Sequence, residues 1–232
     1  MMLTVLSMAM ISKILSPALK LWLRTQVEHI ENLEIKISSR NRQIIKGYIP
    51  SVFIASDRAV YQGLHLTQVQ LTGENIRVNL GQVAKGKPLR LLEPVRVNLA
   101  AKLQEADLQA SLSSSLLISA LADLLSMLLK KEKNFIWEIN WDEAIIAPEK
   151  LTLKGNINLE NLETTSIILR SGLQLASPQE LLLSPLKIDG LPESFKLDSS
   201  DFKIDLGSDV NLEKLQLIAG EILVSGDLQV RP

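Results

Sequence analysis

The chain has 232 residues, with 25 Lys and Arg against 26 Asp and Glu, for a formal net charge of -1. That balance provides no field to gather nucleic acid, and the absence of Cys removes thiol catalysis, thiolate metal sites and disulfides while leaving the redox compartment open. Apolar residues make up 46% of the chain but aromatics only 4%, so the apolar surface is overwhelmingly Leu, Ile, Val and Ala, and the length suits one β-rich domain.

The first residues, Met1 to Ile11, are apolar but lack the basic start of a secretory signal, and Lys13 follows without a clear cleavage site. The stretch is read as retained; a badly formed signal or a misassigned start stand beside an anchoring helix. This divides the chain into an extension over 1–12 and a single α+β domain over 13–232. Ser16 and Pro17 open a helix from 17 to about 30, because Ser caps free amides and Pro fits the first turn. Lys13, Lys20 and Arg24 share one side of it, and Leu15, Ala18, Leu19 and Trp22 lie across from them. This suits an anionic membrane surface, and it suits equally a helix whose Leu19, Trp22 and Leu23 pack on a sheet.

Strand patterns follow. Leu33, Ile35 and Ile37 alternate with polar residues, as do Ile76, Val78 and Leu80, and between them Leu64 and Leu66 are out of phase with Val69 and Leu71. A bulge or bend must re-aim the apolar face there, as a curved sheet would. Alternation returns at Phe135, Trp137, Ile139 and Trp141, and in Leu151 to Leu159 around Gly155. Further strands are expected over 166–175, 181–188, 202–206, 212–217 and 221–230, broken by Gly190, Pro192, Gly207 and Gly226.

The middle of the chain differs. Glu105 to Leu112 reads as a helix, and Ser113 to Ser115 offer caps for a second one reaching about Lys130. Its polar residues Ser115, Ser119, Asp123, Ser126 and Lys130 form a narrow line, which leaves Leu117, Leu121, Leu124, Leu125 and Leu128 on a wide apolar face and predicts a largely enclosed helix. It is no membrane span, because a span needs about 20 apolar residues and this one carries Asp123 centrally and ends at Lys130, Lys131 and Lys133. A packed core helix and a helix lining a loose aliphatic interior that admits an acyl chain look identical at this level.

Candidate chemistry is sparse. Gly81 to Lys87 has the glycine and lysine spacing of a phosphate-binding loop, but Pro88 stands where a hydroxyl should ligate magnesium, and no helix pattern follows. His29 and His65 fall on different elements, no nucleophile elbow occurs, and pairs such as Asp142 with Glu143 or Glu160 with Glu163 suit solvated strand ends. Lys85, Lys87 and Arg90, with Arg96 and Lys102 beyond, make a basic cluster near a loop. A solvated loop is the simple account of it; beside Lys13, Lys20 and Arg24 it would face phospholipid headgroups.

Gly47-Tyr48-Ile49-Pro50-Ser51-Val52, Ala59-Val60-Tyr61-Gln62-Gly63-Leu64-His65-Leu66 and Gly73 to Leu80 form the most specific block of the chain, and Gly86 to Val95, Glu105 to Leu108 and Glu221 to Gly226 extend its pattern. From about residue 12 onward this resembles the LmeA-like phospholipid-binding family, in its cyanobacterial branch. The resemblance implies a fold similar to tubular lipid-binding domains, in which a strongly curved antiparallel β-sheet wraps a long apolar helix and encloses an aliphatic groove; with the N-terminal amphipathic helix read above, the expected class is α+β. The resemblance carries over no catalytic residue. Arg96 and Ser38-Ser39-Arg40 depart from the pattern, where proline and glycine are expected, which puts loop shape in doubt.

The expected function is non-catalytic binding or transfer of phospholipid or another acyl lipid at a membrane surface, without a cofactor or a nucleic-acid partner. The acyl site would be Leu117, Leu121, Leu124, Leu125 and Leu128 with Leu19 and Trp22; headgroup contacts would be Lys13, Lys20, Arg24, Lys85 and Lys87. The cytoplasmic side of the membrane is favoured over the periplasmic. The alternative is a structural, membrane-associated protein with a fully packed core and a protein partner, and an enzyme acting on lipid or glycan would lack a nucleophile in context. Gly47, Pro50, Gly63 and Gly73 are read as structural.

Overall fold

The computed structural model describes residues 27–38, 43–44, 46–83, 85–128, 137–159, 164–191 and 201–232. The expected N-terminal extension and most of the amphipathic helix, with Lys13, Leu19, Lys20, Trp22 and Arg24, lie outside these residues, as do Glu160 and Glu163; the expected end of that helix near residue 30 is corrected, because a strand begins at His29.

Within them the chain is mostly antiparallel sheet. Strands β1 (His29–Ser38), β2 (Tyr48–Tyr61), β3 (Leu64–Arg77) and β4 (Val95–Gln104) form a meander completed by β13 (Glu221–Val230) and β12 (Val210–Ile218), in the order β1-β2-β3-β4-β13-β12. Strands β5 (Trp137–Ala147), β6 (Lys150–Leu159), β7 (Thr165–Ser171) and β10 (Lys187–Asp189) form a second sheet in the order β10-β7-β6-β5. A third has the order β11-β9-β8, from β8 (Leu173–Ser177), β9 (Glu180–Leu183) and β11 (Phe202–Asp205). Three helices are described: α1 (Leu80–Val83), α2 (Glu105–Ser111) and α3 (Ser115–Leu128).

Register explains why the six-stranded sheet has one polar and one apolar face. Successive side chains alternate, so cross-strand partners share a face. One face carries the row Lys36, Phe53, Thr72, Asn98, Asp227 and Asn211. The other carries Ile35, Ile54, Leu71, Leu99, Gly226 and Leu212, and next to it Ile37, Val52, Gly73, Val97, Leu228 and Val210.

Two packed clusters form. The larger joins Leu108 and Leu112 of the α2 region, Leu121, Leu124 and Leu125 of α3, the inner face of the second sheet (Trp141, Ala144, Ile146, Leu153, Ile157, Ile167, Leu169), and Leu217 and Ile222 from β12 and β13. The smaller lies under β1 and β2, where Ile49, Val52, Val78 and Leu80 are buried.

Several expectations are corrected. Leu80 does not continue a strand. Asn79 takes an amide hydrogen from Arg90 and donates its own carboxamide hydrogen to the Pro88 carbonyl, which turns the chain into α1. Of the bulge or bend expected between Leu66 and Val69, no bulge occurs, because Asp57 faces Gln68 and Ala59 faces Leu66 in one register; the irregularity at that point is a single left-handed residue on the partner strand, Arg58, with φ 49°. The run 166–175 is two strands, split at Gly172. The expectation of an enclosed central helix fails as well: α3 buries only Leu121, Leu124 and Leu125, and Leu116, Ile118 and Met127 on it are exposed. Among the described residues its apolar arc is wider than the surface that covers it.

Candidate functional site

The most distinctive surface is the strip of the apolar sheet face between the two clusters. Val69 and Leu71 of β3, Val97 and Leu99 of β4, and Val210 and Leu228 of β12 and β13 are all half-buried, and none joins either cluster among the described residues. The strip continues into the small cluster through Ile35 and Ile54, and toward the large one through Val224 and Leu215. No charged side chain interrupts these rows, and Gly73 and Gly226 contribute no side chain within them. The result is an aliphatic, unevenly filled floor.

Charge is kept to the opposite face. Arg96 bonds Asp227 at 2.5 Å and Lys102 bonds Glu221 at 2.6 Å, joining β4 to β13. The hydrogen bond from Arg96, then its charge, holds the Asp227 carboxyl below its ordinary value; hydrogen bonds from Lys102 and Gln104 do the same for Glu221.

Helix α2 fixes the second sheet against the first. Its Ser111 hydroxyl accepts the His65 amide at 2.8 Å, and its Asp107 carboxylate accepts the Thr67 hydroxyl. One turn apart on the same helix, Glu105 accepts the Ile146 amide at 2.7 Å and Gln109 accepts that of Ala144 at 2.8 Å while donating to the Asp142 carbonyl at 2.6 Å. Two side chains thus satisfy three backbone groups on the free edge of β5, and the Gly220 amide donates to the Ile146 carbonyl there at 2.9 Å. An 84° bend separates α2 from α3, and Ser114 caps α3 by accepting the Leu117 amide at 3.2 Å.

The sequence-derived candidates divide accordingly. Leu121, Leu124 and Leu125 are buried in the large cluster with Leu117 and Leu128 packed against it, so the structure brings these five together as core. Lys85 and Lys87 are exposed in the turn after α1. That turn is not a phosphate cradle: the amides of Lys85 and Lys87 are spent on the Gln82 carbonyl and that of Gly86 on Val83, and α1 precedes Gly86. His29 and His65 both face Val60, from opposite sides, which places them two strands, roughly 10 Å, apart. Among the described residues no group of three or more His, Asp or Glu side chains could hold a metal. Asp142 bonds Asn156, and Glu143 bonds Lys154 at the surface. The floor residues were not found from sequence, since membership of the strip depends on register across four strands.

Among the described residues no single helix is long and apolar enough to cross a membrane; α2 and α3 together pass by length and composition only. No curated protein and no solved structure matches the chain. A family model does, over residues 8–227. With nearly its whole length matched, the chain belongs to the LmeA-like phospholipid-binding family.

Proposed function

We propose that the protein binds phospholipid non-catalytically at a membrane surface, with acyl chains lying along the strip formed by Val69, Leu71, Val97, Leu99, Val210 and Leu228. Membership of a phospholipid-binding family supports lipid as the ligand. The observation that carries the placement is the half-exposed aliphatic floor between two packed clusters, free of charge across its rows. Each methylene buried contributes about 0.8 kcal/mol, so ten methylenes half-covered by the strip would gain about 4 kcal/mol. The acyl site moves from α3, whose Leu121, Leu124 and Leu125 are committed to the core, to the sheet beside it. Lys85, Lys87 and Arg90, all exposed, would meet headgroups in this reading.

The test is to purify the protein without detergent, extract it with organic solvent and quantify lipid by mass spectrometry, for the wild type and for Leu99→Trp. A near-stoichiometric phospholipid in the wild type and at least a severalfold loss in Leu99→Trp, with the fold retained, is expected, because the indole occupies the middle of the strip. No lipid, and no uptake of added phospholipid, would favour the second reading, in which the aliphatic surface docks a protein partner.

A further inference from the structure

One end of the six-stranded sheet is strongly cationic. Segments 46–48 and 77–93 meet there: the Gly47 carbonyl accepts the Val78 amide at 2.8 Å, the Arg90 carbonyl accepts the Asn79 amide at 3.2 Å, and Val78 bridges to Leu91. Lys46 and Arg90 thus flank Asn79 from its two sides, with backbones roughly 10 Å apart. The amides of Lys85 and Lys87 return to the Gln82 carbonyl, and that of Gln82 to the Asn79 carbonyl, which folds the turn back to the same place. Lys46, Lys85, Lys87 and Arg90 are all exposed, and none forms an ion pair with a described carboxylate. These segments hold five cations and one carboxylate, Glu93, which is 3.6 Å from Arg77, so their local net is +4 in a chain whose formal sum is -1. The next acid, Glu74, lies three residues back along β3. Arg96 and Lys102 on β4 differ, since Asp227 and Glu221 neutralise them.

The turn is held in place from both sides. Val83, Leu89 and Leu91 pack on the small cluster with Ile35 and Ile54 of the apolar sheet face, and the buried Asn79 carboxamide binds the backbone of Pro88 and of Arg90. The cations therefore stand on the side of the sheet that bears the aliphatic strip. Leu92, next to the inward-packed Leu91, is 57% exposed beside them.

We infer that this end of the sheet is the docking site for an anionic phospholipid bilayer, with Lys46, Lys85, Lys87 and Arg90 on lipid phosphates and Leu92 in the interface. Charge complementarity carries the assignment: these cations have no protein partner among the described residues, and the attraction of each to a negative leaflet adds to that of the others. The remaining described cations without an ion pair, Lys150, Lys187 and Lys214, lie on three different strands, β6, β10 and β12. A bilayer fits better than nucleic acid. Within these segments no exposed ring is offered for a base to stack on, since Tyr48 is half-buried, donates to Asn75 at 2.6 Å and lies 5.5 Å from the Arg77 guanidinium. An exposed Leu among cations gains by entering the acyl boundary, which a duplex does not offer. Lipid as the partner rests on the function proposed above, whereas the sign of the headgroup and the end of the molecule that meets it follow from these residues.

Flotation of the full chain with vesicles of phosphatidylglycerol and phosphatidylcholine, against vesicles of phosphatidylcholine alone, is the test. Two triple variants remove the same charge: Lys85→Gln/Lys87→Gln/Arg90→Gln at the docking end and Lys150→Gln/Lys187→Gln/Lys214→Gln elsewhere. All six side chains are exposed, so the fold should survive both. The first variant should partition onto the anionic vesicles at least about tenfold more weakly than the wild type, and the second should stay close to it. Salt at 1 M should release the wild type. The chain has no Cys, so Leu92→Cys and, on the polar sheet face, Asn98→Cys can each be labelled uniquely with an environment-sensitive fluorophore. A blue shift on the anionic vesicles is expected at 92 and none at 98. The proposal is overturned if the wild type floats with neither kind of vesicle or equally with both, if the two triple variants float alike, or if positions 92 and 98 respond alike. Binding of duplex DNA as tight as that of the anionic vesicles in the same salt overturns it too, by making the patch a general polyanion site. Extractable lipid separates this proposal from the acyl strip. Cargo without flotation would sink the docking end alone, whereas charge-dependent flotation without cargo would sink the strip alone.

Discussion

Gly47 shows how one residue type can be forced by two constraints. Its φ of 72° lies in the left-handed region, and a Cβ there would collide with the Val78 carbonyl oxygen, a backbone atom that cannot swing aside. The same residue is bonded through both backbone groups: its amide donates to the Ile44 carbonyl at 2.7 Å and its carbonyl accepts the Val78 amide at 2.8 Å. Gly47→Ala is therefore expected to cost on the order of 2–3 kcal/mol through combined strain and collision, read as a lower urea midpoint with an unchanged slope. A loss under 0.5 kcal/mol would mean that the 47–78 contact relaxes freely. Gly47 and Gly63 were legible in the sequence because turns need a positive φ, which both have. Pro50 is accounted for differently: it lies just outside the β1 ladder, which ends at Ser51, and between the β3 pairs of Ile49 and Ser51.

At the scale of elements, α2 acts as a strut. Removing the Gln109 side chain leaves the Ala144 amide, on a residue only 4% exposed, without its acceptor. Gln109→Ala should cost about 1–3 kcal/mol and speed hydrogen exchange at Ala144, while Leu153 and Leu169, deeper in the same sheet, should be less affected. Equal protection at Ala144 in both proteins would show that water replaces the carboxamide. Helices α2 and α3 were legible nearly to the residue, because Ser114 gives a cap and the leucines have a clear period. Strand β4 was not. Its Arg96 and Lys102 drew attention as part of a basic cluster, yet both are outward-facing residues of an alternating strand at the centre of the largest sheet, each neutralised across the ladder by β13. Charge spacing along a chain does not show which charges are already paired.

For the whole molecule, the half-buried aliphatic strip was invisible in sequence for a related reason: its rows combine residues from β3, β4, β12 and β13, and only the register says which of their apolar residues meet. The charges of the opposite face make a testable statement about this assembly. Arg96 with Asp227 and Lys102 with Glu221 cross from β4 to β13, and Arg231 with Asp209 ties the last residues to the start of β12. Hydrogen bonds from these cations lower all three carboxyl values below the ordinary range. A carboxyl with a lower value folded than unfolded adds stability that is complete above its unfolded value, about 4, and is lost as pH falls through the folded value. Melting temperature should therefore be flat in this respect from pH 7 to about 5 and decline below about 4. Asp227→Asn removes one titrating group from that decline, so its deficit relative to wild type should be present at pH 7 and shrink toward zero in acid. Because the Arg96 side chain of the pair is 72% exposed, against 13% for Asp227, 1 M salt, which shortens the screening length from about 10 to about 3 Å, should shrink part of the same deficit at pH 7. A deficit that persists unchanged into acid would assign the loss to packing on β13 and not to the ion pair that closes the middle of the sheet.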